Sequence, residues 1–200
     1  DEQIANDLIK PFLECIIAPS FSSKAMDILQ KKKNLRLISV NDGNNGMTTM
    51  KSVAGGYLLQ DKDYNSFNFN DLKIVTNKKP TDNDMKAMDL GWKLVRYVKS
   101  NAIVFSDKNQ LLSVGAGQMS RIDSVKIAIK KVADNGLNLH GSIMASDAFF
   151  PFSDCIELAS EVGVSSIIQP GGSIKDEEII KTANKLGVAM GFTGFRHFFH

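Results

Sequence analysis

Apolar positions along the chain alternate between helical and strand-like spacing, and that alternation is the first thing the sequence settles. Ile4, Leu8 and Ile9 keep helical intervals from Asp1 to Lys10, Pro11 interrupts, and Phe12 to Ala18 follows as a strand-like run. Ser23 to Lys32 carries Ala25, Met26, Ile28 and Leu29 on one face, with Ser22 or Ser23 as cap, before Leu35 to Val40 returns to strand. Strand, helix, strand in this order predicts a parallel pair. Asn41 to Gly46 reads as a loop and Tyr57 to Gln60 as a short strand. Periodicity lapses from Asp61 to Pro80, with Leu72 to Val75 a short strand inside it. Thr81 then caps a long helix to Lys99, held by Leu90, Leu94, Val95 and Val98 with Trp92 and Tyr97 beside them. The rest alternates: strands at Ser100–Phe105, Gln110–Val114, Ser142–Ala145, Ser165–Gln169 and Val188–Phe192, and helices at Arg121–Asn135, Asp154–Val162 and Asp176–Leu186. The pattern gives two unequal α/β lobes, residues 1–80 and 81–200, joined by the aperiodic stretch.

Composition narrows the class. With 43% hydrophobic residues in 200, the chain can bury a core, and 24 Lys and Arg against 22 Asp and Glu leave only +2. Neither sign clusters into a run longer than Lys31-Lys32-Lys33, which precedes an apolar stretch and suits a solvated helix end, so nucleic acid and membrane surfaces are not expected partners. Cys15 and Cys155 sit in apolar surroundings without CxxC spacing, which fits a reducing, cytoplasmic setting. His140, His197 and His200 show no zinc-pair spacing. No stretch is long enough for a membrane span, and Asp1 opens directly on a helical pattern, as expected of a chain that starts inside a larger protein.

Five segments carry candidate chemistry. Asn101, at the mouth of an apolar strand, can hold a ligand or be a satisfied buried amide. Gly115-Ala116-Gly117 opens a helix at Arg121, so its N–H groups face an anion or simply make a tight turn; it is neither GxGxxG nor a phosphate loop. Phe149, Phe150, Pro151 and Phe152 lie between Asp147 and Asp154. They make a wall for a flat heteroaromatic ligand, with Asp154 accepting from its N–H edge, or else they are core with Asp154 as helix cap. Ser173, after Gln169-Pro170-Gly171-Gly172, stands where α/β sheets bind ligands, or caps the next helix. Arg196, in an aromatic tail, needs a carboxylate, a phosphate or water.

Taken in order, Lys99-Ser100-Asn101-Ala102-Ile103-Val104, Gly115 to Arg121, Ser146 to Phe152, Ile168 to Ser173 and the Arg196-His197-Phe198-Phe199-His200 ending resemble the C-terminal part of the AICAR transformylase domain of bifunctional purine-biosynthesis enzymes with IMP cyclohydrolase activity. Glu14 to Ser20 and Lys32 to Arg36 extend the likeness into the first lobe. The resemblance implies cytidine-deaminase-like three-layer α/β lobes with mainly parallel mixed sheets, and a homodimer. It implies formyl transfer from 10-formyltetrahydrofolate to 5-aminoimidazole-4-carboxamide ribonucleotide, the phosphoribosylaminoimidazolecarboxamide formyltransferase reaction.

By the same resemblance Asn101, Arg121, Phe149 and Arg196 fall at nucleotide positions, Arg196 at the phosphate. Ile122, Pro151, Phe152, Asp154, Ser173 and Ile174 fall at folate positions, and Ser100 and Asp147 near a potassium ion. The family's Lys-His catalytic pair has no counterpart, because no Lys-His dipeptide occurs in the chain, so the pair is expected upstream of Asp1. Ser153 stands where the family can carry a basic residue, which puts a charge contact with folate carboxylates there in doubt. The rival expectation is a catalytically silent nucleotide-binding or dimerisation module on the same scaffold.

Overall fold

The computed structural model describes residues 1–40, 48–63 and 67–200, so the loop expected at Asn41 to Gly46 lies outside the described residues. By packing, the chain divides into two compact units, Asp1–Lys62 and Asp63–His200. The division falls well before residue 80, because Lys73–Ile74 pairs into the second unit's sheet and Asp63 bonds to His197 in the same unit.

In the first unit, α1 (Glu2–Leu8) and α2 (Ser23–Leu29) accompany the parallel pair β1 (Cys15–Ala18) and β2 (Arg36–Ser39). The expected parallel register is present, Ile16 facing Leu37, and Ser22 is the cap of α2 through its Oγ, which accepts from the Ala25 N–H at 3.3 Å. β1 starts later than the apolar run suggests, leaving Phe12 exposed, and Cys15 is exposed rather than enclosed. Only Ala5, Ala25 and Leu29 form the buried centre of this unit. The antiparallel hairpin β3 (Thr48–Val53) and β4 (Gly56–Asp61) turns at Gly55, whose φ of +82° suits glycine, and every residue of both strands is exposed.

The second unit is built on a six-stranded mixed sheet in the order β5-β10-β9-β8-β6-β7. Its strands are β5 (Lys73–Ile74), β6 (Ile103–Ser106), β7 (Leu111–Gly115), β8 (Ile143–Ser146), β9 (Ser166–Gln169) and β10 (Ala189–Phe192). The helices are α3 (Asp82–Val95), α4 (Arg121–Asp134), α5 (Asp154–Glu161) and α6 (Asp176–Leu186). The α/β class stands as expected. Parallel pairing is confined to β8, β9 and β10, each reached through a helix, whereas β6 pairs antiparallel with both β7 and β8. The short connection from β6 to β7 can only make a hairpin.

β6, β8 and β9 are buried along their whole length, so the sheet has apolar layers on both faces. One layer joins α4, α5 and α6 residues such as Val125, Ile156 and Ile179 to Phe105 and Met144; the other joins Met88, Trp92 and Val95 of α3 to Val104, Ala145 and Ile168. Gly91 lets α3 lie close on the sheet, since a Cβ there would stand 2.8 Å from both Ile143 Cδ1 and Ser106 Oγ. Thr81 caps α3 as expected, in a reciprocal box with Asp84. The helix ends at Val95, short of Lys99, and Tyr97 points outward, its ring 4.9 Å from the Arg96 guanidinium instead of in the core. Among the described residues no helix is long and apolar enough to cross a membrane.

Candidate functional site at one end of the strands

Strand direction decides where the five candidate segments go. β8 and β9 run together, as do β9 and β10, so all three end on the same side. β6 is antiparallel to β8, with Ile103 opposite Ser146, and β7 returns so that Gly115 lies opposite Ile103. Ser100-Asn101, Gly115 to Arg121, Ser146 to Asp154, Gln169 to Ile174 and the tail from Thr193 therefore emerge at one end of the sheet.

The centre of this end is a buried polar network. The Arg121 guanidinium donates from Nε to Ser146 Oγ at 2.8 Å and from Nη2 to Asp147 Oδ1 at 2.6 Å. Ser100 Oγ donates to Asp147 Oδ2 at 2.5 Å, and Ser146 Oγ donates to the Ala148 carbonyl at 2.7 Å. Arg121 and Asp147 side chains are 8% and 1% exposed, so this ion pair is shielded from water and must be internally satisfied. Nη1 of Arg121 has no partner among the described residues. The resemblance places potassium near Ser100 and Asp147, but these two side chains bond to each other and the carboxylate charge is matched by Arg121. They do not by themselves make a cation site, and no step below is routed through potassium.

Asn101 donates from Nδ2 to the Gln118 carbonyl at 2.9 Å, and its own carbonyl accepts from Ser124 Oγ at 2.8 Å. Since a carbonyl only accepts, the amide is oriented with Oδ1 away from Gln118, and Oδ1 has no donor among the described residues. Half of this amide is thus structural and half is available. At the neighbouring turn the structural reading prevails: the Gly117 N–H goes to the Lys99 carbonyl at 2.7 Å, and Ser120 Oγ with the Asp123 carboxylate closes the start of α4. Gly115 is required there, since a Cβ would lie 1.9 Å from the Ser124 carbonyl oxygen.

The aromatic segment splits by burial. Phe150 is core, Phe149 and Pro151 are half-buried, and Phe152 is 63% exposed. Ser153, not Asp154, occupies the cap position of α5, and its hydroxyl donates to Glu157 rather than capping. Asp154 stands in the first turn with Oδ1 accepting from the Cys155 N–H at 2.8 Å, and its carboxylate also takes a side-chain hydrogen bond from the Cys155 thiol. Burial and the Asp154 carboxylate push the Cys155 thiol far above its ordinary range, so it stays protonated and is no nucleophile.

Ser173 is half-buried and is not a cap either: its Oγ accepts from the Lys175 N–H at 3.1 Å, and α6 begins after Lys175. Ile174 is fully exposed, whereas Ile122 is half-buried against the core of the α4 layer. Asp176 accepts from the Gly172 N–H at 2.7 Å through Oδ2, while its Oδ1 is buried without a partner among the described residues, a group that no motif in the sequence marks. Arg196 is exposed, makes no ion pair among the described residues and lies 4.9 Å over the Phe198 ring. His140 lies at the other end of the strands, where its neighbour Gly141 bonds to Gly163.

The sequence of this chain was compared with known proteins. A family model described as AICARFT/IMPCHase bienzyme matches residues 1–131, a stretch that includes Ser100, Asn101, Arg121 and Ile122. Over its full length the chain is 48% identical to the bifunctional purine biosynthesis protein PurH of Halalkalibacterium halodurans, covering 39% of that protein. It is 47% identical to the protein of the same name from Staphylococcus carnosus, covering 40% of it, and 45% identical to that of Leptospira biflexa, covering 39%. The chain thus spans about two fifths of the length of the curated relatives it matches.

Proposed function

The chain belongs to the AICARFT/IMPCHase bienzyme family, and from that membership we propose that it is the C-terminal part of the transformylase portion, holding two substrates for formyl transfer in cytoplasmic purine biosynthesis. The substrates are 10-formyltetrahydrofolate and 5-aminoimidazole-4-carboxamide ribonucleotide. The observation that supports this most is the convergence, at one strand end, of exposed Arg196 and the Asn101 Oδ1, neither with an ion pair or donor among the described residues, with the half-buried Asp154 carboxylate and the exposed Phe152 and Ile174.

In this reading Arg196 takes the nucleotide phosphate, a charge-assisted contact for which it has no internal competitor. Nη1 of Arg121 and the half-buried Phe149 face the heterocycle, and Asn101 Oδ1 accepts from the carboxamide NH2. On the folate side Pro151 and Phe152 wall the pterin, Asp154 Oδ2 accepts from its N–H-rich edge, and Ile122, Ser173 and Ile174 complete the surface. The acceptor amine is conjugated with the imidazole carboxamide and is a weak nucleophile. Its nitrogen bonds to the formyl carbon while it loses a proton, the carbonyl oxygen gathers charge, and the C–N10 bond of the folate then breaks with N10 taking a proton. The base for the first proton is the Lys-His pair of the family resemblance, outside these residues, and a second copy of the protein completes the site.

The test uses the complete protein. Asp154→Ala should weaken a folate analogue by about 1.5–3 kcal/mol while nucleotide binding holds. Arg196→Ala should do the reverse. Titration calorimetry giving equal losses of both ligands for either variant overturns the assignment, and a complete protein that binds both ligands without forming product favours a silent module instead.

A further inference from the structure

Residues 193–200 contain no helix or strand, yet they bond to three successive strand ends. The Thr193 N–H donates to the Gln169 carbonyl and the Gly194 N–H to Pro170, beyond β9. The His197 N–H donates to the Asp147 carbonyl at 2.9 Å, beyond β8, and the Ser100 N–H donates to the Phe199 carbonyl at 2.9 Å, before β6. The tail is therefore a strap laid across the strand ends. His197 is its one fully buried residue, 2% exposed, while Arg196 and Phe198 on either side are exposed. The imidazole bonds through Nδ1 to the Asp63 carboxylate and lies against Trp92, ring centroids 4.5 Å apart, and Phe195, 5.2 Å.

We propose that His197 is a positioning residue that latches this strap and so fixes Arg196 for the nucleotide phosphate; the proposal rests on the reading of Arg196 above. Among the described residues the Arg196 side chain has no hydrogen bond or ion pair to hold it beyond the Phe198 ring, so its placement is set by its backbone. That backbone is set in turn by the neighbouring residue. His197 acts at both levels: its N–H is tied to Asp147, the residue whose carboxylate holds Arg121, and its ring is tied to Asp63. One residue, Asp147, thereby fixes the spacing between the two arginines. Since Asp63 is an acceptor, Nδ1 of the histidine carries the proton, and Nε2 is buried without a partner among the described residues. Of the two ring nitrogens, the latch therefore works through Nδ1.

Steady-state kinetics of the complete enzyme, with each substrate varied in turn, test this. His197→Leu should raise the nucleotide KM about tenfold, the cost of ordering roughly one backbone residue on binding, with the folate KM and kcat nearly unchanged. His197→Asn, whose amide nitrogen takes the place of Nδ1, should restore most of the nucleotide KM. In an Arg196→Ala background His197→Leu should add nothing. An additive effect there, equal rises in both KM values, or failure of the asparagine to rescue overturns the latch. Tail amide hydrogen exchange separates the two claims: unchanged exchange at His197 and Phe199 in His197→Leu overturns the latch itself. An Arg196→Ala variant with unaltered nucleotide KM overturns instead the arginine assignment on which it rests. Should the leucine variant not fold, Asp63→Ala addresses the same bond and carries the same expectations.

Discussion

Asp147 and Asp154 open and close the same loop after β8, and the protein treats them oppositely. Asp147 is almost fully buried and both its oxygens are bonded, one to Arg121 and one to Ser100. Asp154 is half-buried beside exposed Phe152, and its bonds stay within its own helical turn, to the N–H and thiol of Cys155. The arginines divide in the same way, Arg121 enclosed and paired, Arg196 exposed and without an ion pair among the described residues. In the proposed reading, charged groups that the fold satisfies build the scaffold, Arg121 offering a ligand only its Nη1, and those it leaves open to solvent are the ones offered to ligands. Burial sharpens this distinction because an unpaired buried charge costs far more than an exposed one.

The largest effect that can break the comparison is on stability. Asp147→Ala leaves the Arg121 guanidinium buried without its counter-charge and should cost about 3–5 kcal/mol. Asp154→Ala removes only a first-turn carboxylate and should cost about 1 kcal/mol or less. Urea unfolding of the complete protein measures both. Similar midpoint shifts for the two variants would remove the distinction between scaffold and site carboxylates.

Phe152 sharpens the comparison on the apolar side. Its ring is mostly exposed while Phe150, two residues earlier, is enclosed, so Phe152→Ala should leave stability within about 0.5 kcal/mol. A pterin ring stacked on it would lose about 0.5–1.5 kcal/mol of affinity. A folate-analogue titration with no change in Kd would place the pterin elsewhere along the strand ends.

Much of this organisation was legible in the sequence, because helix caps and apolar spacing are local signals. Thr81 and Ser22 cap where a hydroxyl before an apolar repeat predicts, and the candidate segments fall at strand ends because each follows or precedes an apolar run. What escaped is long-range or unpatterned. Arg121 meets Asp147 across 26 positions and Asp63 meets His197 across 134, partnerships set by strand order and not by spacing. β3, Thr48-Thr49-Met50-Lys51-Ser52-Val53, lacks the apolar run that marks Tyr57 to Leu59 of β4, so only its pairing with β4 makes it a strand. Ser173 and Asp154 look like caps by residue type, but the chain enters α5 and α6 at Ser153 and Lys175, neither of which caps through its side chain. Tyr97 followed the helical pattern on paper, but the helix had already ended two residues before it.

Asp84 extends the carboxylate comparison to the other end of the strands, where the expected effect is smallest. Burial alone would raise its pKa, but hydrogen bonds from Ser165 and Thr81 and the nearby Lys78 charge outweigh burial and hold it below the ordinary carboxylate value of 3.8. A depressed folded-state pKa means that ionised Asp84 stabilises the fold. That contribution is complete above the unfolded-state pKa, about 3.9, and is lost as pH falls through the lower folded-state value. Asp84→Asn keeps the shape but not the charge at the start of α3, so near neutrality it should cost about 0.3–1 kcal/mol. The gap between the native protein and the variant should then narrow on acidification, because the native carboxyl becomes neutral as well. Urea unfolding at pH 7 and near pH 3 measures both gaps. A gap of the same size at the two pH values would mean that the Asp84 charge adds nothing to the fold and that its hydrogen bonds act by geometry alone.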